Sequence, residues 1–252
     1  MSVLEPTAPL QAQDAVVRFG DLHVLGPVSF DVLAGQCVVL LGPSGCGKST
    51  LLAAFAGLQA LSSGQASVQS NNPVPGFVFQ SPNLMPWASL LDNVALPLDI
   101  TGMPKSQARA QAQKTLEMVG LGDFSQAKPR ALSGGMAMRG ALARALISQP
   151  SALLLDEPFA AIDELGRRAL NDLVHQIKAD RQIAILFVTH SVEEAVYMAD
   201  TILILCPRPG KIASTIQVPP LRRDPTFYCH QSLPTQLQRP AARCLLSMVS
   251  YE

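Results

Sequence analysis

A glycine-rich stretch between an apolar run and a helical run constrains this chain more than any other feature. The stretch GPSGCGKST, at 42–50, follows the apolar run QCVVLLG and precedes KSTLLAAFAGL, which has the composition of a helix. Its Gly-x4-Gly-Lys-Ser spacing is typical of a phosphate-binding loop, whose backbone N–H groups surround phosphate oxygens at the start of a helix. The alternative is an ordinary glycine turn between a strand and a helix.

The phosphate-loop pattern also assigns chemical roles to its side chains. We expect Lys48 to reach the β- and γ-phosphates of a nucleotide, and the Ser49 hydroxyl to ligate Mg²⁺. The candidate nucleotide-binding residues of the loop are Gly42, Pro43, Ser44, Gly45, Cys46, Gly47, Lys48, Ser49 and Thr50.

Further apolar runs and helical patterns alternate along the second half of the chain. The apolar runs, interpreted as buried strands, cover 152–158, 184–190 and 201–206, and helical patterns cover 163–179 and 191–199. This alternation predicts βαβ units and a largely parallel sheet, so the fold class is α/β. Residues 12–40 instead alternate short β-rich runs with Gly and Pro turns, which predicts a small antiparallel layer at the N-terminus.

The segment between Gln80 and Arg144 has a different sequence pattern. It opens with a Pro-rich loop, continues with helical patterns at 105–119 and 136–148, and contains no run that predicts a buried strand. We interpret it as a helical subdomain inserted into the α/β core. The predicted units are the N-terminal core at 1–79, the helical subdomain at 80–145, the C-terminal core at 146–218 and a tail at 219–252 ending in a short helix.

Polar residues stand where the predicted strands end. Open α/β sheets bind ligands at the carboxyl ends of their strands. Asp156 could hold Mg²⁺ through its water shell, and Glu157 could polarise an attacking water. His190 could hydrogen-bond the γ-phosphate or that water, and the Gln80 amide could reach Mg²⁺ or water. The alternatives are a solvated strand end for the two carboxylates, a structural histidine and a surface glutamine.

A second candidate anion site lies in the inserted segment. Ser133 is predicted to cap a helix over 134–148, and Gly134 and Gly135 would leave the N–H groups of its first turn exposed. A helix N-terminus carries unpaired donors and partial positive charge, which favour phosphate. A plain helix cap is the alternative. Because this helix belongs to the insertion, it need not fold back onto the nucleotide of its own chain.

Composition restricts the partners and the compartment. Lys plus Arg and Asp plus Glu balance at 19 each, so the sequence lacks the basic bias expected for nucleic-acid binding. No apolar run approaches the ~20 residues of a membrane span, and the N-terminus lacks the pattern of a secretory signal. The five cysteines are an odd number without paired spacing. We therefore expect reduced cysteines in a cytoplasmic protein.

Together these motifs resemble the nucleotide-binding subunits of ATP-binding-cassette (ABC) transporters. The shared set is the phosphate loop, the glutamine after VF, LSGG with Arg139, LLLDEP, AAID ending at Asp163, and VTH, in the family's order over roughly 12–210. The stretch FQSPNLMPWASLLDNVALPL and LSGGM look most like bacterial importers of the nitrate, sulfonate and taurine type.

The resemblance implies a P-loop NTPase core with ATP and Mg²⁺ as cofactors. In this family ATP lies between the phosphate loop of one chain and the LSGG turn of a second copy. Asp163 then belongs to the nucleotide site, and Phe19 stands where an aromatic ring stacks on adenine, a role its side chain can fill. A core strand residue is the alternative for Phe19.

The function implied is that of an ATPase subunit that drives a separate transmembrane permease, which in turn receives solute from a binding protein. The chain would lie peripherally at the cytoplasmic face of the cell membrane. Its permease contact would lie around 80–98, where Trp87 is either a contact or a local core residue. The rival interpretations are a soluble cassette ATPase acting on DNA or ribosomes, a phosphate-loop kinase or GTPase, and an inactive assembly subunit.

Overall fold

The computed structural model describes residues 8–69 and 74–219. The predicted tail helix lies outside the described residues. The strands are β1 (Leu10–Phe19), β2 (Leu22–Val32), β3 (Cys37–Leu41), β4 (Ser63–Val68), β5 (Gly76–Val78), β6 (Ala152–Asp156), β7 (Ala184–Thr189), β8 (Thr201–Leu205) and β9 (Ile212–Gln217). The α-helices are α1 (Lys48–Phe55), α2 (Leu90–Ile100), α3 (Lys105–Met118), α4 (Gly134–Leu146), α5 (Glu164–Arg181) and α6 (Val192–Met198).

A six-stranded sheet in the order β5-β6-β7-β3-β8-β9 forms the centre of the molecule. All neighbouring pairs are parallel except β8 and β9. Successive side chains of β3 enter opposite cores, with Val38 in one and Val39 in the other, because side chains alternate along a strand. Both faces of the sheet are therefore covered, which explains why its strands are continuous apolar runs. The predicted α/β class with a largely parallel sheet is confirmed.

A separate three-stranded antiparallel sheet, in the order β2-β1-β4, packs with α1 on one face of the central sheet. It confirms the antiparallel layer predicted from residues 12–40. Strand β4 extends this layer, although the sequence analysis did not single it out. Its six side chains are at most half-buried, so its sequence lacks the apolar run by which β3, β6, β7 and β8 were recognised. Strands β5 and β9 were not predicted either.

The inserted segment forms three helices around a core of its own. Side chains such as Leu90, Val94 and Leu116 pack there without contact to solvent. The sequence analysis predicted α3 and α4 but missed α2, because Pro97 lies inside that helix. A proline ordinarily interrupts a helix, and here the helix is stabilised by the Ser89 cap and by burial of its apolar face.

The predicted strands end one or two residues too late. Strand β6 ends at Asp156, β7 at Thr189 and β8 at Leu205, so the polar residues that follow lie in turns. Within the described ranges, no helix is long and apolar enough to cross a membrane.

Candidate nucleotide-binding site

A pocket of about 430 Å³ opens at the carboxyl ends of β3 and β6. It is lined by Phe19, Leu22, Val24, Ser44, Gly45, Gly47, Lys48, Ser49, Thr50, Gln80, Asp156, Glu157 and Arg208. The strand ends, the phosphate loop and the turn between β1 and β2 therefore form its walls.

The phosphate loop is closed around the Lys48 ammonium. This side chain is buried, and its Nζ donates to the carbonyl oxygens of Gly42 at 2.8 Å and Pro43 at 2.9 Å. Gly45 and Gly47 have φ angles of +76° and +96°, which side chains rarely tolerate. A Cβ at Gly47 would also lie 3.1 Å from the Leu25 Cβ. The loop can wrap this tightly because glycines occupy these positions, and a tight loop is what brings N–H donors to a phosphate.

Ser49 and Asp156 are in direct contact at the base of the pocket. The Ser49 hydroxyl donates to the Asp156 carboxylate at 2.8 Å. Burial raises the pKa of Asp156 above its usual value, and the hydrogen bond from Ser49 opposes part of that effect. A hydroxyl and a carboxylate side by side are oxygen ligands of the kind that Mg²⁺ takes. The two residues therefore fit the metal site predicted from the sequence.

Glu157 and His190 form a second pair at the pocket, which Glu157 lines and His190 does not. The His190 Nδ1 lies 3.0 Å from a Glu157 carboxylate oxygen, so Nδ1 donates and Nε2 is directed elsewhere. Glu157 has a φ of +44°, and its N–H donates to the Val188 carbonyl at 3.0 Å. A non-glycine residue in this conformation costs about 1–3 kcal/mol, and such strain is concentrated at functional sites.

The turn that carries His190 is fixed by a layer of contacts behind it. The Thr189 hydroxyl donates to Glu194 and accepts from the Ser191 N–H at 3.0 Å. Burial raises the pKa of Glu194. The sequence analysis missed Thr189 and Glu194, although the spacing of Ser191 and Glu194 is that of a helix-capping box. The Ser191 side chain does accept from the Glu194 N–H at 3.3 Å.

Two further predicted residues line the pocket. Gln80 lines the pocket and is the second residue after β5. Phe19 ends β1, and 50% of its surface is exposed. The core interpretation of Phe19 therefore does not hold, and its ring is available to a base at the pocket mouth.

The predicted second anion site does not belong to this pocket. Ser133 caps α4 by accepting from the Met136 N–H at 3.3 Å, and Ser133, Gly134 and Gly135 do not line the pocket. A methyl group added at Gly134 would meet no described atom within 4 Å. Asp163 also lies outside the pocket and caps α5 through the Gly166 N–H at 2.9 Å. The turn Ser133–Gly135 of the LSGG motif, hereafter the signature turn, is therefore open to solvent.

Comparison with known proteins identifies the family. Residues 25–160 match the family described as ABC transporter. This chain belongs to the ABC transporter family. Over 82% of its length it is 42% identical to the taurine import ATP-binding protein TauB of Rhizobium johnstonii, 81% of which is covered. It is 45% identical, also over 82%, to the aliphatic sulfonates import ATP-binding protein SsuB 1 of Pseudomonas syringae pv. syringae, 86% of which is covered.

Solved structures of ABC cassettes have the same fold. The dimeric structure of MJ0796, described as a bacterial ABC transporter cassette, matches 84% of this chain and 100% of its own with a TM-score of 0.72 and 27% identity. Its post-hydrolysis state bound to ADP and Pi matches with the same TM-score and 26% identity. These findings confirm the resemblance stated from the sequence and the assignment as an ABC ATPase, which binds and hydrolyses ATP. They exclude the kinase and GTPase alternatives.

In this ABC ATPase the loop between Gln80 and α2 is fixed at both ends. Arg144, on α4, donates to the Pro82 and Asn83 carbonyls at 2.9 and 2.7 Å, and burial lowers its pKa. Asn93, which is fully buried, accepts from the Met85 N–H at 2.6 Å and donates to the Met85 and Ser89 carbonyls.

Trp87 lies in the segment between Met85 and Ser89 that Asn93 holds, and it is 73% exposed, so the core alternative for it is wrong. Sequence reasoning missed both anchors, because an Asn and an Arg inside helices carry no local signal of the loop they hold.

Three pocket-lining residues were missed by the sequence analysis: Leu22, Val24 and Arg208. Arg208 is the charged one among them. It follows β8 in the turn CPRPGK, whose prolines and glycine indicate only a turn. The strand-end rule that selected Asp156 and His190 would have selected Arg208 had it been applied to β8.

Proposed function

We propose that this chain is the ATP-hydrolysing subunit of a bacterial-type importer and that it drives a separate transmembrane permease. It would act as a peripheral subunit at the cytoplasmic face of the membrane. This chain covers 81–86% of the length of the two relatives. Their names support import of a sulfonate-type anion such as taurine. The solute would be selected by the permease and a solute-binding protein, which this chain need not contact.

The observation that carries this proposal is the separation of the two anion sites. The pocket contains the phosphate loop, while the signature turn at Ser133–Gly135 faces solvent outside it. A second copy of the chain could place its signature turn over the phosphates of the first, and the dimeric MJ0796 cassette supports this arrangement. ATP would then hold two chains together, and its hydrolysis would let them separate.

The pocket residues and His190 would have separate roles in ATP hydrolysis. Lys48 would bind the β- and γ-phosphates, and Ser49 and Asp156 would hold Mg²⁺, which neutralises phosphate charge when bound. Glu157 would accept a proton from the attacking water. His190 would orient Glu157 through its Nδ1–H. Its Nε2 would accept from that water in the neutral ring, or donate to the γ-phosphate when the ring carries both protons. Gln80, which also lines the pocket, would contact the metal or the water.

The same contacts connect the pocket to the proposed permease surface. Gln80 begins the loop that Arg144 and Asn93 hold, and Trp87 projects from the far end of that loop. Since Arg144 belongs to the helix that starts at the signature turn, a shift of α4 on ATP binding would move the loop. A mostly exposed indole at this place suits a contact with another protein.

Reconstitution with a candidate permease and solute-binding protein from the same organism tests the proposal. We expect the complex to co-purify and to accumulate labelled taurine or an alkanesulfonate in vesicles only when ATP is on the side of this subunit. A complex carrying Glu157→Gln is the matched control and should assemble without transporting. A chain that hydrolyses ATP but neither binds the permease nor supports sulfonate uptake would contradict the importer assignment.

A further inference from the structure

The turn at 206–211, between β8 and β9, is built against the outside of the phosphate loop. Gly210 donates to the Val24 carbonyl at 2.9 Å and accepts from the Gly26 N–H at 2.7 Å. A Cβ on Gly210 would lie 1.9 Å from the Cys46 carbonyl oxygen, so no larger residue fits there. The antiparallel layer and the central sheet therefore meet at this turn and fix its position next to the loop.

Arg208 projects from this turn into the wall of the pocket. Its Nε donates to the Gly45 carbonyl at 2.7 Å, and this is its only hydrogen bond within the described part of the chain. The bond uses one of the five N–H donors of a guanidinium, and the remaining four belong to Nη1 and Nη2. Arg208 itself is exposed and lines the pocket beside Gly45.

The charges of the pocket lining indicate that the Arg208 guanidinium favours binding of an anion. The lining contains the carboxylates Asp156 and Glu157 and the cations Lys48 and Arg208. Without Arg208 the lining would have a net negative charge while having to accept a nucleotide that is itself negative. Arginine is also suited to phosphate, because its planar fork donates two parallel hydrogen bonds.

We propose that Arg208 is a nucleotide-binding residue that donates to the phosphate chain of ATP through Nη1 and Nη2 while Nε holds the phosphate loop at Gly45. It complements Lys48 at a different part of the loop, since Lys48 is bonded to the carbonyls of Gly42 and Pro43 and Arg208 to that of Gly45. This inference rests on the proposed ATP site and adds to it a residue from the turn after β8.

The test compares three single variants of the full chain by calorimetric titration with ATP and ADP in Mg²⁺. Arg208→Gln keeps a donor but removes the charge, and we expect ATP affinity to fall about tenfold, the order of one hydrogen bond to a charged group. Arg208→Lys keeps the charge without the fork and should lose less. Lys211→Ala is the matched control, since it removes a cation from the same turn outside the pocket, and it should bind like the parent.

Salt dependence separates contact with the nucleotide from mere support of the loop. Opposite charges in contact are weakened by salt, so ATP affinity should fall less steeply with NaCl in Arg208→Gln than in the parent and in Arg208→Lys. Parent-like ATP affinity in Arg208→Gln would overturn the inference, and so would weaker binding with an unchanged salt slope. A parent chain that binds no ATP would instead contradict the proposed function, which keeps the two failures distinct.

Discussion

At the scale of single residues, two consecutive carboxylates occupy different surroundings. Asp156 is the last residue of β6 and bonds Ser49, whereas Glu157 adopts a positive φ and meets His190. Burial raises the pKa of Asp156, while Glu157 lines the pocket and bonds His190. Under the proposed function, this change of backbone conformation between neighbours would allow one carboxylate to hold the metal and the other to accept a proton from the water.

The role of Glu157 as a base is tested by Glu157→Gln. The amide keeps the size and an acceptor for His190, but it cannot take a proton. We expect ATP turnover to fall at least ~10²-fold, the contribution typical of a general base, while ATP binding persists. Phosphate release and nucleotide titration on the same preparation measure the two effects. Hydrolysis at the parent rate would remove Glu157 from this role.

The raised pKa of Asp156 predicts opposite effects on stability and function. In the nucleotide-free protein an ionised, partly buried carboxylate is unfavourable, so Asp156→Asn should raise the melting temperature at pH 7. The Asn side chain can still accept from Ser49, but it should weaken Mg²⁺ affinity by roughly 10–100-fold.

The pH dependence of this stability gain has a defined sign. The folded protein protonates Asp156 at a higher pH than the unfolded chain does, so the cost of the charge is greatest above the raised pKa. The difference in melting temperature between Asp156→Asn and the parent should therefore shrink as the pH falls toward the usual value of 3.8. Asp180→Asn, an exposed carboxylate change on α5, is the control and should show no such trend. A gain that grows toward acid pH would contradict the buried charge as its cause.

At the scale of elements, the sequence predicted what is encoded locally and missed what depends on packing. Strands β3, β6, β7 and β8 and the phosphate loop were recognised because buried strands are apolar throughout and a phosphate loop needs glycines at fixed spacing. Helix α2 was missed because its proline argues against a helix, and its stability comes from the core it shares with α3 and α4. Asn93 and Arg208 were missed because their roles depend on loops that lie near them only in the folded chain.

Asn93 should stabilise the loop that presents Trp87. Asn93→Ala removes the partner of the Met85 N–H and the donor to the Ser89 carbonyl, so unfolding free energy should fall by about 1–3 kcal/mol. Trp87→Ala alters an exposed side chain of the same loop and should change stability by no more than about 0.5 kcal/mol.

Both variants should nevertheless weaken assembly with the permease and leave the nucleotide affinity of the isolated subunit unchanged. Urea unfolding and co-purification separate the two effects. Loss of ATP binding in Trp87→Ala would show that this tryptophan does not act through the permease surface.

At the scale of the whole molecule, the signature turn lies next to the start of α5. Ile162 lies beside the signature turn, with its Cγ2 4.0 Å from the position of a Gly135 Cβ. Next to it, Asp163 begins α5, and Leu165 is 78% exposed. The signature turn and the AAID segment therefore present one continuous face, and an exposed leucine there suits a contact with a second chain. The nucleotide site of the proposed dimer would combine this face of one copy with the pocket of the other.

A mixed dimer distinguishes such shared sites from sites contained within one chain. Lys48→Ala damages a chain's own phosphate loop, and Gly135→Asp places a negative charge where the signature turn would meet phosphate. The described residues leave room for that aspartate, because the nearest atom to its Cβ would be 4.0 Å away.

In a shared arrangement each homodimer has two damaged sites. The mixed dimer has one doubly damaged site and one intact site, formed by the normal loop of the Gly135→Asp chain and the normal turn of the Lys48→Ala chain. With Glu157→Gln in both chains to prevent turnover, we expect trapping of about one nucleotide per mixed dimer and little in either homodimer. If folded variants that demonstrably exchange chains trap no more nucleotide together than apart, the phosphate loop and the signature turn do not share a site.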